Sequence, residues 1–225
     1  MAWTSTRFLS FDTLHTRGQA ADTVVKLMMA CNDLSLANQV LSDWKKEQPS
    51  TKKPRQTGAG MYFIRMQLAH LYEGLKVIEE IKKDQFLVGL LGQCDAETQR
   101  SFHELTQFLP DGSCHSEFER LVGKVRHNLA FHYYGCGKLI NRAIADRAAR
   151  QEARTSSVTR GDTAYLWYFK VADGVVDSIV VRQIWAIPRY ADMRAEADKV
   201  ADRAHQIFRW FVDFAGEFIW KYCGH

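Results

Sequence analysis

The stretch LVGKVRHNLAFHYYG, residues 121–135, concentrates residue types that handle phosphate esters. Arg126 carries a guanidinium that stays charged and grips phosphate through two parallel donors. His132 carries an imidazole that titrates near neutrality, so it can both take and give a proton at cellular pH. A fixed cation matters most where negative charge develops in a transition state. Asn128, on the other flank of the same helix, is placed to orient His132 or to contact the backbone.

The element that must position these groups is a helix with two working faces. Phe118, Val122, Val125 and Leu129 recur at helical spacing and form a stripe to be buried, with His132 at its next position. Roughly 100° round the axis lie Gly123, Arg126, Ala130 and Tyr133. Small residues at Gly123 and Ala130 allow another backbone to come close, either a neighbouring helix or a second subunit. Six steps on an ideal helix set Arg126 and His132 about 120° apart. They therefore share one phosphate only if the helix ends or kinks near Phe131, or if the pair meets across a dimer. The alternative reading is structural: a histidine on an apolar stripe is mostly a satisfied core residue, and Arg126 suits a salt bridge to Glu119.

Around this helix the hydrophobic pattern predicts a bundle. One helix is expected from about Ala21 to Trp44, with Val24, Leu27, Cys31, Leu34 and Leu41 on one side. A second carries Met61, Ile64, Leu68, Leu71, Leu75 and Ile78. The last carries Met193, Ala197, Val200, Ala204, Ile207, Phe211, Ala215 and Phe218. Such stripes are stable only when buried against other helices. Short helical pieces are expected in QFLVGLLGQC and AETQRSFHELTQFL, the latter ended by the turn PDGS. Two helices follow, His115 to about Gly135 and Lys138 to Arg154. Polar loops fill QPSTKKPRQTGAG and TSSVTRGDT. Within 156–187, the stretch AYLWYFKVADGVVDSIVVRQIW (164–185) reads two ways: its first half alternates like a strand, whereas Val176, Ile179, Val180 and Ile184 fit a helix. A short extended piece and then a helix is the expectation, within a single domain spanning 1–225.

The net charge of +4, from 30 Lys and Arg against 26 Asp and Glu, tolerates an anionic partner without demanding one. Arg147, Arg150 and Arg154 share one helix face and are candidates for contacts along an RNA backbone, although a solvated face is the commoner use of such a stripe. Five cysteines without a CxxC pair suit a reducing compartment. No leader pattern opens the sequence, and no apolar run approaches the ~18 residues that span a membrane, so a cytoplasmic protein is expected. GCGK at Gly135–Lys138 lacks the first glycine, the hydroxyl residue and the preceding strand of a phosphate loop. His103, Cys114 and His115 lack paired metal-ligand spacing. Neither a metal nor a cofactor is expected.

Arg126-His127-Asn128-Leu129-Ala130-Phe131-His132 resembles the Arg-x(4–6)-His signature of the HEPN superfamily, including a polar residue soon after the arginine. RHNLAFHYY is also similar to the corresponding segment of bacterial abortive-infection and toxin-type HEPN proteins. In a toxin branch the pattern is Arg-x4-His-x-Tyr; here five residues intervene, and Tyr134 matches the tyrosine if the extra residue is absorbed. The resemblance implies an all-α HEPN-like bundle of long antiparallel helices acting as a homodimer. It implies a metal-independent RNase in which His132 handles the ribose 2′-OH proton and Arg126 holds the phosphate, leaving a cyclic phosphate end. A toxin of this kind implies a neutralising antitoxin partner, able to block the cleft or modify Tyr134. Two alternatives stay open: a HEPN module that binds RNA or nucleotide without cutting, and a scaffolding protein with a vestigial motif.

Overall fold

The computed structural model describes residues 4–47, 59–130, 137–149, 155–160, 162, 168–188 and 190–224. It is almost wholly helical. Chain order begins with α1 (Phe11–Thr16), α2 (Gln19–Lys46), α3 (Gly60–Lys83), α4 (Gln85–Leu91), α5 (Ala96–Thr106) and the short α6 (His115–Phe118). After them come α7 (Gly137–Ala148), the two-residue strands β1 (Val158–Thr159) and β2 (Tyr168–Phe169), α8 (Lys170–Ser178) and α9 (Met193–Tyr222). The strands pair antiparallel, Val158 opposite Phe169 and Thr159 opposite Tyr168. Among the described residues no helix is long and apolar enough to cross a membrane.

Local chemistry sets several of these boundaries. The Asp84 carboxylate accepts from the backbone N–H groups of Phe86 and Leu87 and so starts α4. Asp95 does the same for α5 by accepting from Thr98. Each satisfies donors that the first turn of a helix leaves without a partner. α1 was not foreseen, although Ser10 caps it through the Thr13 N–H. It buries no residue, so it leaves no hydrophobic period to read.

The chain gathers into two compact units, each assembled from separated stretches: 1–35, 70–117 and 205–225 in the first, 36–69 and 118–204 in the second. The division falls inside α2, α3, α6 and α9, so neither unit is a contiguous run of sequence.

The first unit is organised around aromatic side chains of α9. Phe211, Phe214, Phe218 and Tyr222 are fully buried, together with Val24, Leu27 and Leu34 of α2 and Leu71, Leu75 and Ile78 of α3. Phe214 stacks on Phe218 at 5.0 Å and meets Phe102 of α5 at the same distance. The expected stripes are the buried ones here, except that Cys31 is only half-buried. Asp213 and Glu217 face outward, as their charge requires.

In the second unit, Phe118, Val122, Val125 and Leu129 form the buried stripe expected of them, alongside Leu68, Ala143, Ile179, Val180 and Trp185. The helix they belong to departs from expectation in its geometry. Past α6 it widens into π-helical turns at Glu119–Gly123 and again at Arg126–Ala130. The Lys124 N–H bonds back to the Glu119 carbonyl, five residues earlier. α8 behaves likewise: it continues as π-helical Ile179–Ile184, where Trp185 N donates to Val180 O at 2.9 Å. The ambiguous stretch thus contains both readings in order, strand at 168–169 and helix after it. It ends at Ala186, a non-glycine residue in the left-handed region (φ 55°).

Candidate functional site

Arg126 opens the second π-helical turn and is half-buried, while Lys124 and His127 beside it are exposed. Asn128 is half-buried, and its Nδ2 donates to the Lys124 carbonyl at 2.7 Å. That bond occupies one amide donor and leaves the side-chain carbonyl as the group that would accept from an imidazole N–H. His132 and Tyr134 lie outside the described residues. So do Arg150 and Arg154 of the arginine stripe.

Arg126–Ala130 is a π-helical turn, so an ideal-helix angle does not describe this stretch. Gly123 was expected to admit a neighbouring backbone. The space a Cβ would occupy at Gly123 is instead taken by the carboxylate of Glu119, from the same helix.

Widened turns swing carbonyls out of the regular ladder, where side-chain donors can reach them. Each π-helical turn of this helix has one carbonyl held in that way. Trp185 Nε1 donates to Leu121 O at 3.1 Å, and Arg65 Nη1 donates to Leu129 O at 2.8 Å. Arg65 comes from the α3 segment of this unit and is only 8% exposed, its Cζ standing 6.0 Å from the Tyr62 ring. Its Nε has no hydrogen-bond partner. Sequence reading passed over Arg65, yet a signal was there. It stands four residues after Met61 and three before Leu68, a lone cation on an apolar stripe.

A second group of charges surrounds α8. Arg147 was expected on a face shared with Arg150 and Arg154. Its guanidinium is directed at α8: Nη1 donates to Gly174 O at 3.1 Å, and a Cβ at Gly174 would lie 3.0 Å from its Cζ. Tyr168 donates its hydroxyl to Asp173 Oδ2 at 2.8 Å. Burial, followed by that hydrogen bond and the charges of Asp173 and Asp177, pushes the Tyr168 phenol up to about 12. Asp177 is pushed up to about 6 by burial and by the charge of Asp173, with Arg147 and Arg65 opposing. Asp177 is exposed at the surface although protein atoms crowd its carboxyl, so solvent screens part of this effect.

A cavity of about 320 Å³ lies on the other side of α8, lined by Leu129, Ile140, Val171, Val175, Val176 and Ile179. Its lining offers shape but no acid, base or nucleophile. In the first unit a separate cavity of about 420 Å³ is lined by Arg7, Cys94, Asp95, Glu217 and Lys221 among others. Burial pushes the Cys94 thiol up, which disfavours the thiolate that nucleophilic chemistry needs. Among the described residues no three His, Cys, Asp or Glu side chains gather as a metal site. The His115 Nδ1 stands 3.1 Å from the Phe108 carbonyl, which places its proton on that nitrogen.

Comparison with protein families, with curated proteins and with solved structures finds no match to this chain.

Proposed function

We propose that this protein is a HEPN-like, metal-independent endoribonuclease of the toxin or abortive-infection kind, cutting RNA at a site built from Arg126 and His132. In this reading the imidazole of His132 removes the proton of a ribose 2′-OH, the 2′-oxygen attacks the adjacent phosphorus, and the 5′-oxygen leaves with a proton. The products are a 2′,3′-cyclic phosphate and a 5′-hydroxyl. Arg126 holds the phosphate and offsets the negative charge that builds on it. The partner expected is RNA, with a second copy of the chain completing the cleft and a neutralising antitoxin restraining it in the cytoplasm.

The observation that carries the proposal is the placement of Arg126 at the head of a π-helical turn, in a helix whose apolar stripe is buried. Such turns are rare, weaken the helix that contains them, and occur frequently at functional sites. The residue types and spacing from Arg126 to His132 supply the chemistry that this distortion would serve.

The test expresses wild type, Arg126→Ala and His132→Ala at matched levels, with folding checked by circular dichroism. Growth arrest and fragmentation of cellular RNA are expected from the wild type alone, each variant lowering cleavage by about 10²-fold or more. Intact RNA in all three strains would reject the enzyme. RNA binding by all three without cleavage would favour a binding module, and no binding by any would favour a scaffold. Light scattering at micromolar concentration is expected to give twice the chain mass; a strict monomer would remove the composite cleft.

A further inference from the structure

We propose that Arg65 is a positioning residue, a buried cation that holds the Leu129 carbonyl and so fixes the π-helical turn on which Arg126 sits. Its relevance to RNA cleavage rests on the function proposed above; the mechanical role does not.

Burying a guanidinium is costly even after relaxation, so a buried arginine is retained where its interactions offset that cost. The one described hydrogen bond made by Arg65 goes to a backbone carbonyl, Leu129 O, at 2.8 Å. Its Nε stays without a partner. Asp177 feels the charge of Arg65 through space, with no ion pair formed between the two. Here the charge-assisted bond goes to the backbone of the motif turn.

The choice of carbonyl is informative. Leu129 is three residues beyond Arg126 in the same turn, Arg126–Ala130. Holding that carbonyl fixes the turn's width and therefore the direction in which the Arg126 Cα–Cβ bond leaves the helix. The first π-helical turn, Glu119–Gly123, is handled in the same way by a different buried donor, Trp185 Nε1 on Leu121 O at 3.1 Å. Two distorted turns, each with a carbonyl held from another element, make a repeated device. Arg65 supplies the half of it that bears on Arg126.

The test uses the full chain with Arg65→Met, which keeps length and loses every donor, and Arg65→Lys, which keeps the charge and one donor direction. Hydrogen–deuterium exchange is followed at 126–130 and at α5, a helix of the other unit. In Arg65→Met the amides of 126–130 are expected to exchange about tenfold faster, with α5 unchanged and Arg65→Lys in between. RNA cleavage is expected to fall about tenfold in kcat with KM within twofold, and Arg65→Lys to restore part of it. Unchanged exchange at 126–130 in a folded Arg65→Met would overturn the proposal, as would equal acceleration throughout the chain. If Arg65→Met does not fold, Arg65→Lys decides, because wild-type exchange at 126–130 in that variant contradicts the partial loss expected of it. A wild type that leaves RNA intact ends the nuclease reading, and exchange alone then judges the clamp.

Discussion

Asp177 is the carboxylate of the second unit whose surroundings oppose its ionised form, and it responds to pH. Its pKa is raised from the ordinary carboxylate value to about 6, first by burial and then by Asp173. A raised carboxyl pKa means that the folded chain takes up a proton before the unfolded chain does. The associated stability is therefore fully present below the unfolded value, near pH 4, and is lost as pH rises through about 6. At neutral pH the folded state carries an ionised carboxylate beside Asp173, and Asp177→Asn is expected to relieve this. The accessible edge of the side chain limits the gain to about 1 kcal/mol after solvent screening. Urea unfolding at pH 4 and pH 7 checks it: the wild type should lose stability relative to Asp177→Asn between the two, and parallel behaviour would contradict the assigned environment. Tyr168 and Arg147 belong to the same set of contacts, and neither was legible as such. Tyr168 falls in a stretch that reads as strand or helix, and Arg147 reads as one of three solvated arginines until its bond to Gly174 is seen.

At the scale of elements, close packing in the first unit depends on Gly74 of α3, where a Cβ would stand 2.9 Å from the Phe211 ring. Phe211 is fully buried and cannot give way cheaply. Gly74→Ala is expected to destabilise by about 1–3 kcal/mol through overpacking, outweighing the better helix propensity of alanine. A lowered urea midpoint with an unchanged slope is the expected signature, and a raised midpoint would show that the ring has room. The long helices were readable in the sequence because Leu68, Leu71, Leu75 and Ile78, or Ile207, Phe211, Ala215 and Phe218, repeat a period that only burial explains. The π-helical turns were not readable. Phe118, Val122, Val125 and Leu129 keep α-like spacing, and the donors that meet the widened turns, Arg65 and Trp185, are distant from them in sequence. The candidate site was legible in its residue types at 126–132. The support beneath it was not, because a lone arginine on an apolar stripe signals that something is held without saying what.

At the scale of the whole molecule, the mild positive charge and helical architecture set few limits on what the protein binds. The functional proposal therefore stands on one turn and the chemistry of two side chains. Its most direct test is the identity of the ends left on RNA by the purified wild-type chain in the presence of EDTA. The chemistry proposed for His132 and Arg126 forms the new bond within the ribose itself, so fragments bearing 2′,3′-cyclic phosphate and 5′-hydroxyl ends are expected, and are expected to vanish with His132→Ala. Uncut RNA, or fragments bearing 5′-phosphate and 3′-hydroxyl ends, would contradict it.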